Sequence, residues 1–169
     1  MSQPQRIEAQ VDAIQHLSFR VREAGYALPI ALVREIIEYA EVTRVPMMPA
    51  YIHGVINLRG NVVPVLDLAA RFGLSLTEPG KRTCIVIVEL ELEGERQITG
   101  VVVDAVSAVL DIPASEIEPA PSFGTRIRGD FIGGMGKVNG KFVILLNVEQ
   151  VLALDGLAVL PELAEAQAA

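Results

Sequence analysis

One pattern of 14 residues occurs twice in this chain, 80 positions apart: residues 54–67 (GVINLRGNVVPVLD) and residues 134–147 (GMGKVNGKFVILLN). Gly54 aligns with Gly134, Gly60 with Gly140, Val63 with Val143 and Leu66 with Leu146. In the first copy, two apolar arms flank Arg59-Gly60-Asn61, and Gly and Asn tolerate the positive φ of a tight turn. The expectation is a β-hairpin with Arg59 at its tip. Asp67 then falls where a carboxylate caps a helix over residues 68–72, with Gly73 placed to end it. Asn147 is the matching cap for a helix over 148–154. Two hairpin-plus-helix units at one spacing predict two similar lobes.

The chain has 169 residues, of which 51% are hydrophobic, enough to build a core. Val, Ile, Leu and Ala dominate and there is no Trp; the β-branched excess favours strands. The net charge of −7, with no long Lys/Arg cluster, argues against a nucleic-acid partner. Cys84 is the single cysteine. It lies in an apolar run and reads as a buried, inert thiol with no partner for a disulfide. Residues 1–15 lack a signal-peptide core, and no apolar run reaches the ~20 residues that span a bilayer. The default compartment is the cytoplasm.

Read in order, residues 1–15 form a flexible tail. Residues 16–22 alternate polar and apolar, and Tyr26, Leu28 and Ile30 alternate again, giving a first hairpin. A helical turn near 31–34 precedes a strand over 35–41, and Pro46 and Pro49 then break regular structure. One turn is expected at 50–53. Residues 75–81, with Thr77, Pro79 and Gly80, read as the link between lobes. Strands follow at 83–92, 97–103 and 107–110. A Pro-rich loop with one turn at 114–117 covers 111–125, and 126–129 stay irregular before the second hairpin. Short strands at this spacing mean barrels or sandwiches rather than a βαβ sheet. The reading is mainly β: two packed barrels with a few short helices. The lobes lie near 16–75 and 82–154, with strand exchange allowed at the ends, and 155–169 form a tail.

No catalytic set emerges. His16 and His53 lack a second His or Cys at metal spacing and read as solvated or capping residues. No nucleophile-elbow, zinc-protease or P-loop pattern is present. The glycines at 133–136 enter a hairpin, not a helix N-terminus, so they do not cradle phosphate. Glu35, Glu38, Glu41, Asp67, Asp104 and Asp111 could supply paired carboxylates, but no motif marks them. No metal or cofactor is expected. Two apolar segments stand out: Val33, Ile36 and Ile37, and residues 100–103 with 106–110. They either fill the core or leave a seam open for a partner helix. Arg59 is either a solvated tip or a docking charge. A second reading is a regulatory module holding a small ligand between its barrels, although 5% aromatic content argues against carbohydrate.

The runs Y-A-L-P-I (26–30), V-R-E-I (33–36), T-R-V-P (43–46), G-V-I-N-L-R-G (54–60) and V-P-V-L-D-L (63–68) resemble the CheW family of chemotaxis coupling proteins. So do G-V-V-V-D-A-V (100–106), P-A-P (119–121) and L-L-N-V-E (145–149). The resemblance implies two packed, five-stranded SH3-like β-barrels and a non-enzymatic adaptor without cofactor. The implied partners are the cytoplasmic tips of methyl-accepting chemoreceptors and the regulatory domain of the histidine kinase CheA. Receptor binding is implied near Val33, Glu35, Ile36, Gly54 and Arg59, with Glu35 and Arg59 as charges rimming an apolar groove. The kinase would meet edge surfaces of both lobes, at residues the resemblance does not assign. The implied location is cytoplasmic, at receptor arrays on the inner membrane, without membrane insertion.

Overall fold

A computed structural model describes residues 13–92, 94–119 and 131–152. The first hairpin, β1 (Ala13–Val21) and β2 (Ala24–Pro29), is followed by a 3₁₀ turn at Ile30–Leu32 and by β3 (Val33–Glu38). The central hairpin is β4 (Ile52–Leu58) and β5 (Asn61–Asp67), leading into helix α1 (Leu68–Arg71). Then come β6 (Cys84–Leu92), β7 (Glu95–Val103) and β8 (Ala105–Pro113), a 3₁₀ turn at Ala114–Glu116, and the short β9 (Ile117–Glu118). The second hairpin, β10 (Ile132–Val138) and β11 (Lys141–Leu146), leads into α2 (Val148–Leu152). The expected tail over 155–169 and the irregular segment at 126–129 lie outside the described residues. The expected N-terminal tail does so up to residue 12, since β1 already begins at Ala13.

Two sheets form, and their membership does not follow the break expected at residues 75–82. One sheet has five strands in the order β3-β6-β7-β5-β4, and the other six in the order β8-β1-β2-β11-β10-β9. Residues 75–81 connect α1 to β6 within one lobe, so they are not the link between lobes. The crossings are the 3₁₀ turn before β3 and the single residue Asp104 between β7 and β8. The exchange at the N-terminal end takes in the whole first hairpin, which completes the C-terminal lobe through a parallel pairing of β2 with β11.

The internal repeat holds in three dimensions. β4 and β10 start and end 80 residues apart, and each carries a register irregularity at its first residues, between Ile52 and Gly54 and between Ile132 and Gly134. β5 runs parallel to β7 as β11 runs parallel to β2. The Asp67 amide donates to the Tyr51 carbonyl, and the Asn147 amide to that of Phe131, both at 2.8 Å. Each sheet also closes on itself. Thr43, beyond β3, bridges Val55 of β4, and β9, beyond β8, pairs with β10. The sixth strand of the second sheet is thus the counterpart of the Thr43 bridge.

Alternation along β6 and β7 shows why their sequences are apolar on both faces. Ile85, Ile87 and Val102 point into the first barrel with Ile56, Val63 and Val65. Val86, Val88, Val101 and Val103 point the other way, into a core between the lobes shared with Leu17, Phe19, Leu28, Leu66, Phe131 and Leu146. A smaller cluster around Ala27, Ile112 and Leu145 fills the second barrel. The few aromatics concentrate in the seam, where Phe19, Tyr26, Phe72 and Phe131 form a chain with ring centroids 5.1 to 6.2 Å apart. Arg71 of α1 lies over both Tyr51 and Phe131 and donates to the Val151 carbonyl at 3.0 Å, tying α1 to α2. The seam is thus packed with side chains from both lobes.

Candidate functional site

Strand β3 lies at the edge of its sheet, hydrogen-bonded to β6 on one side. Arg34, Ile36 and Glu38 are exposed along it, whereas Val33, Glu35 and Ile37 are half-buried. Val33 packs against the shared core and Ile37 against the first barrel. Ile36 keeps 41% of its surface exposed. Of the second apolar segment, Val101, Val102 and Val103 are buried core, while Val109 of β8 is exposed.

Across the barrel opening, the β4–β5 turn consists of Arg59 and Gly60, with φ values of 52° and 87°. Positive φ at both positions is the hairpin turn that suits twisted strands. The Asn57 side chain steadies it by accepting from the Gly60 amide at 2.8 Å. The matching turn in the other lobe uses Asn139 and Gly140, and Asn tolerates this conformation far better than Arg.

Arg59 reaches back to β3. Its Nη1 and Nη2 donate to Glu35 Oε2 and Oε1 at 2.6 and 3.1 Å, a two-pronged pair between residues 24 apart in sequence. Such a fork fixes direction as well as charge. The Arg59 side chain is 71% exposed and that of Glu35 23%. The hydrogen bond from Arg59 holds the Glu35 carboxyl below its ordinary range, and the same bond raises the Arg59 guanidinium.

Gly54 is buried under the crossing segment at Thr43. With φ at 152°, a side-chain carbon there would lie 2.2 Å from the Thr43 carbonyl oxygen. Among the residues implied for receptor binding, the structure thus joins Glu35 to Arg59, leaves Ile36 open beside Glu35 on β3, half-buries Val33 and covers Gly54.

Behind this edge lies a polar network that the sequence did not reveal. His53 is 2% exposed and Asp67 is fully buried. His53 Nδ1 is 3.2 Å from Asp67 Oδ2, and its Nε2 is 2.7 Å from the Tyr39 hydroxyl. An ionised carboxylate only accepts, so Nδ1 carries the proton and, in the neutral ring, Tyr39 donates to Nε2. Asp67 also accepts from the Thr77 amide and hydroxyl, both at 2.9 Å, and from Ala70 at 3.3 Å as the expected cap of α1. Burial pushes the Asp67 carboxyl up, but the bonds from His53, Thr77 and Ala70 together hold it below its ordinary value. His53 is therefore a buried structural residue, not a solvated one. His16 is buried too, with Nδ1 3.0 Å from the Ile14 carbonyl oxygen. Cys84, expected to be buried, is half-exposed. Among the described residues no group of three His, Cys, Asp or Glu could hold a metal, and no helix is long and apolar enough to cross a membrane.

Residues 15–155 match the family model of the CheW-like domain. The chain belongs to the CheW family. It is 32% identical over 151 residues to the chemotaxis protein CheW of Klebsiella aerogenes, covering 89% of each chain. It is 33% identical over 144 residues to that of Helicobacter pylori, covering 85% of this chain and 84% of the relative. Among solved structures it matches the scaffolding protein TtCheW of Thermoanaerobacter tengcongensis at a TM-score of 0.75 and 35% identity, over 85% of this chain and 90% of that one. As a CheW-family member it is an adaptor of chemosensory signalling, with the two-lobe β fold of that family.

Proposed function

We propose that this chain is a non-catalytic coupler that holds chemoreceptor cytoplasmic tips against the regulatory domain of the histidine kinase CheA, and that it works in the cytoplasm at receptor arrays. The single observation that carries the receptor half of this reading is the Glu35–Arg59 fork. It costs a non-glycine residue in a left-handed turn conformation, about 1–2 kcal/mol, where the other lobe uses Asn139. Exposed apolar Ile36 is the next residue of β3, with its side chain on the opposite face of the edge strand. A fixed, directional charge pair at an edge strand suits a helix that must dock in one orientation. Val33 would back the contact from the shared core, and Gly54 would shape it by letting the Thr43 segment lie flat. The buried polar network supports a non-catalytic role, because His53 and Asp67 are closed off from any substrate.

Arg59→Glu tests the reading. It sets two carboxylates against each other at the edge of the barrel without touching the core. The variant is expected to keep a wild-type circular dichroism spectrum and to lose co-sedimentation with receptor-containing membranes. Full co-sedimentation by the folded variant, with and without the kinase, would remove Arg59 from the docking surface.

A further inference from the structure

The loop that carries the chain from Thr43 back to the start of β4 holds the run Pro46-Met47-Met48-Pro49. Pro46 and Met47 form a turn, and Met47 takes a φ of 64°. That left-handed conformation suits Gly or Asn in such a turn and is unfavourable for a residue with a longer side chain. Met47 recovers nothing by packing. It stands clear of the fold at 102% exposure, the highest among the large apolar residues described. Its neighbour Met48 is half-buried against the shared core. Met135, in the middle of β10 between β9 and β11, is half-buried as well. Two adjacent thioethers thus have opposite surroundings, one in water and one against the core.

Thioether oxidation follows access to the sulfur. We propose that Met47 is a modification site for hydroperoxides, oxidised to the sulfoxide in the folded chain ahead of Met48 and Met135. A lone pair on Met47 Sδ attacks one oxygen of hydrogen peroxide, and the S–O bond forms as the O–O bond breaks. The proton of the transferred oxygen passes through solvent to the departing hydroxide, which leaves as water. The thioether is oxidised and the peroxide reduced, with no further reactant. At Met47 the new S–O dipole is hydrated without disturbing any packing, whereas at Met48 the same oxygen would face the apolar core. Oxidation at Met47 therefore turns an apolar tip polar and leaves the fold in place. The loop runs from Thr43, opposite Val55, back toward Ile52, away from the Arg59 turn at the far end of β4. The modification thus stays clear of the Glu35–Arg59 fork, and its test needs neither receptor nor kinase.

The test is a time course of the folded full chain in hydrogen peroxide, stopped with catalase and read by mass spectrometry of tryptic peptides. The peptide 45–59 holds both Met47 and Met48, and its fragment ions assign the added oxygen to one or the other. Met47 is expected to gain oxygen about tenfold or more faster than Met48 and Met135, and the rates should converge in denaturing urea. Chains oxidised at Met47 alone should keep the urea midpoint of the unmodified protein. A Met47→Leu variant should lose the fast phase while Met48 stays slow. The proposal is overturned if Met48 or Met135 matches or outruns Met47 in the folded chain, if the difference persists in urea, or if oxidation of Met47 alone lowers the midpoint.

Discussion

Asp67 has no exposed surface and accepts four hydrogen bonds, from His53, from Thr77 twice and from Ala70. One carboxylate thus joins the end of β5, the start of α1, the bulged start of β4 and the segment that leads to β6. Asp67→Asn keeps the shape but replaces one acceptor oxygen by a donor facing donors, an expected loss of about 1–3 kcal/mol, measurable by urea denaturation. Because the folded carboxyl is held below its ordinary value, its contribution is complete above the unfolded value of about 3.9. It is lost as pH falls through the lowered folded value. Stability should therefore drop on acidification below about pH 4, with a shallower slope in the Asn variant. The cap itself was legible in sequence, because capping is local and Asp stands directly before the helix. The histidine partnership was not: it depends on the irregularity at the start of β4, and the sequence alone read His53 as solvated or capping.

Hairpins and their turns were the most legible elements, since Gly60 and Gly140 sit between apolar arms and the turn chemistry is contained in a few residues. Comparing the two turns separates folding from docking. Arg59→Asn places in the first lobe the residue that the second uses at Asn139. It should leave stability unchanged or raise it by up to about 1 kcal/mol while removing the fork to Glu35. Thermal denaturation and membrane co-sedimentation on one sample check this: a variant that melts no lower yet fails to assemble is the expected result. A variant that assembles normally would mean that the strained turn serves something else. The pairing of Glu35 with Arg59 was not derivable from spacing. It arises because closure of the barrel brings the edge strand β3 to the tip of the β4–β5 hairpin, and only the family resemblance pointed to both residues beforehand.

Across the whole molecule, the largest apolar cluster belongs to neither barrel. It takes residues from β1, β2, β4, β5, β6, β7, β11 and both helices, so the lobes should unfold together. Leu66 is 1% exposed within it. Leu66→Ala is expected to cost about 2–5 kcal/mol and to preserve a single transition by calorimetry, whereas two separated transitions would show that the lobes fold independently. The two-lobe architecture was visible as an 80-residue repeat, but the assignment of strands to lobes was not. Nothing in the first hairpin names β11 as its partner, because a parallel pairing between distant segments leaves no turn or cap in the sequence.

That long-range closure also orders events during synthesis. β1 and β2 leave the ribosome first, yet the strands that flank them, β8 and β11, follow about 80 and more than 110 residues later. At ~5–20 residues per second the wait is on the order of 5–20 s. For that interval a nascent hairpin carries two unsatisfied edges, on Leu17, Phe19 and Val21 as well as Tyr26 and Leu28. A neighbouring chain further along in synthesis offers β11 before the hairpin's own arrives, so crowded translation favours exchange of this hairpin between copies.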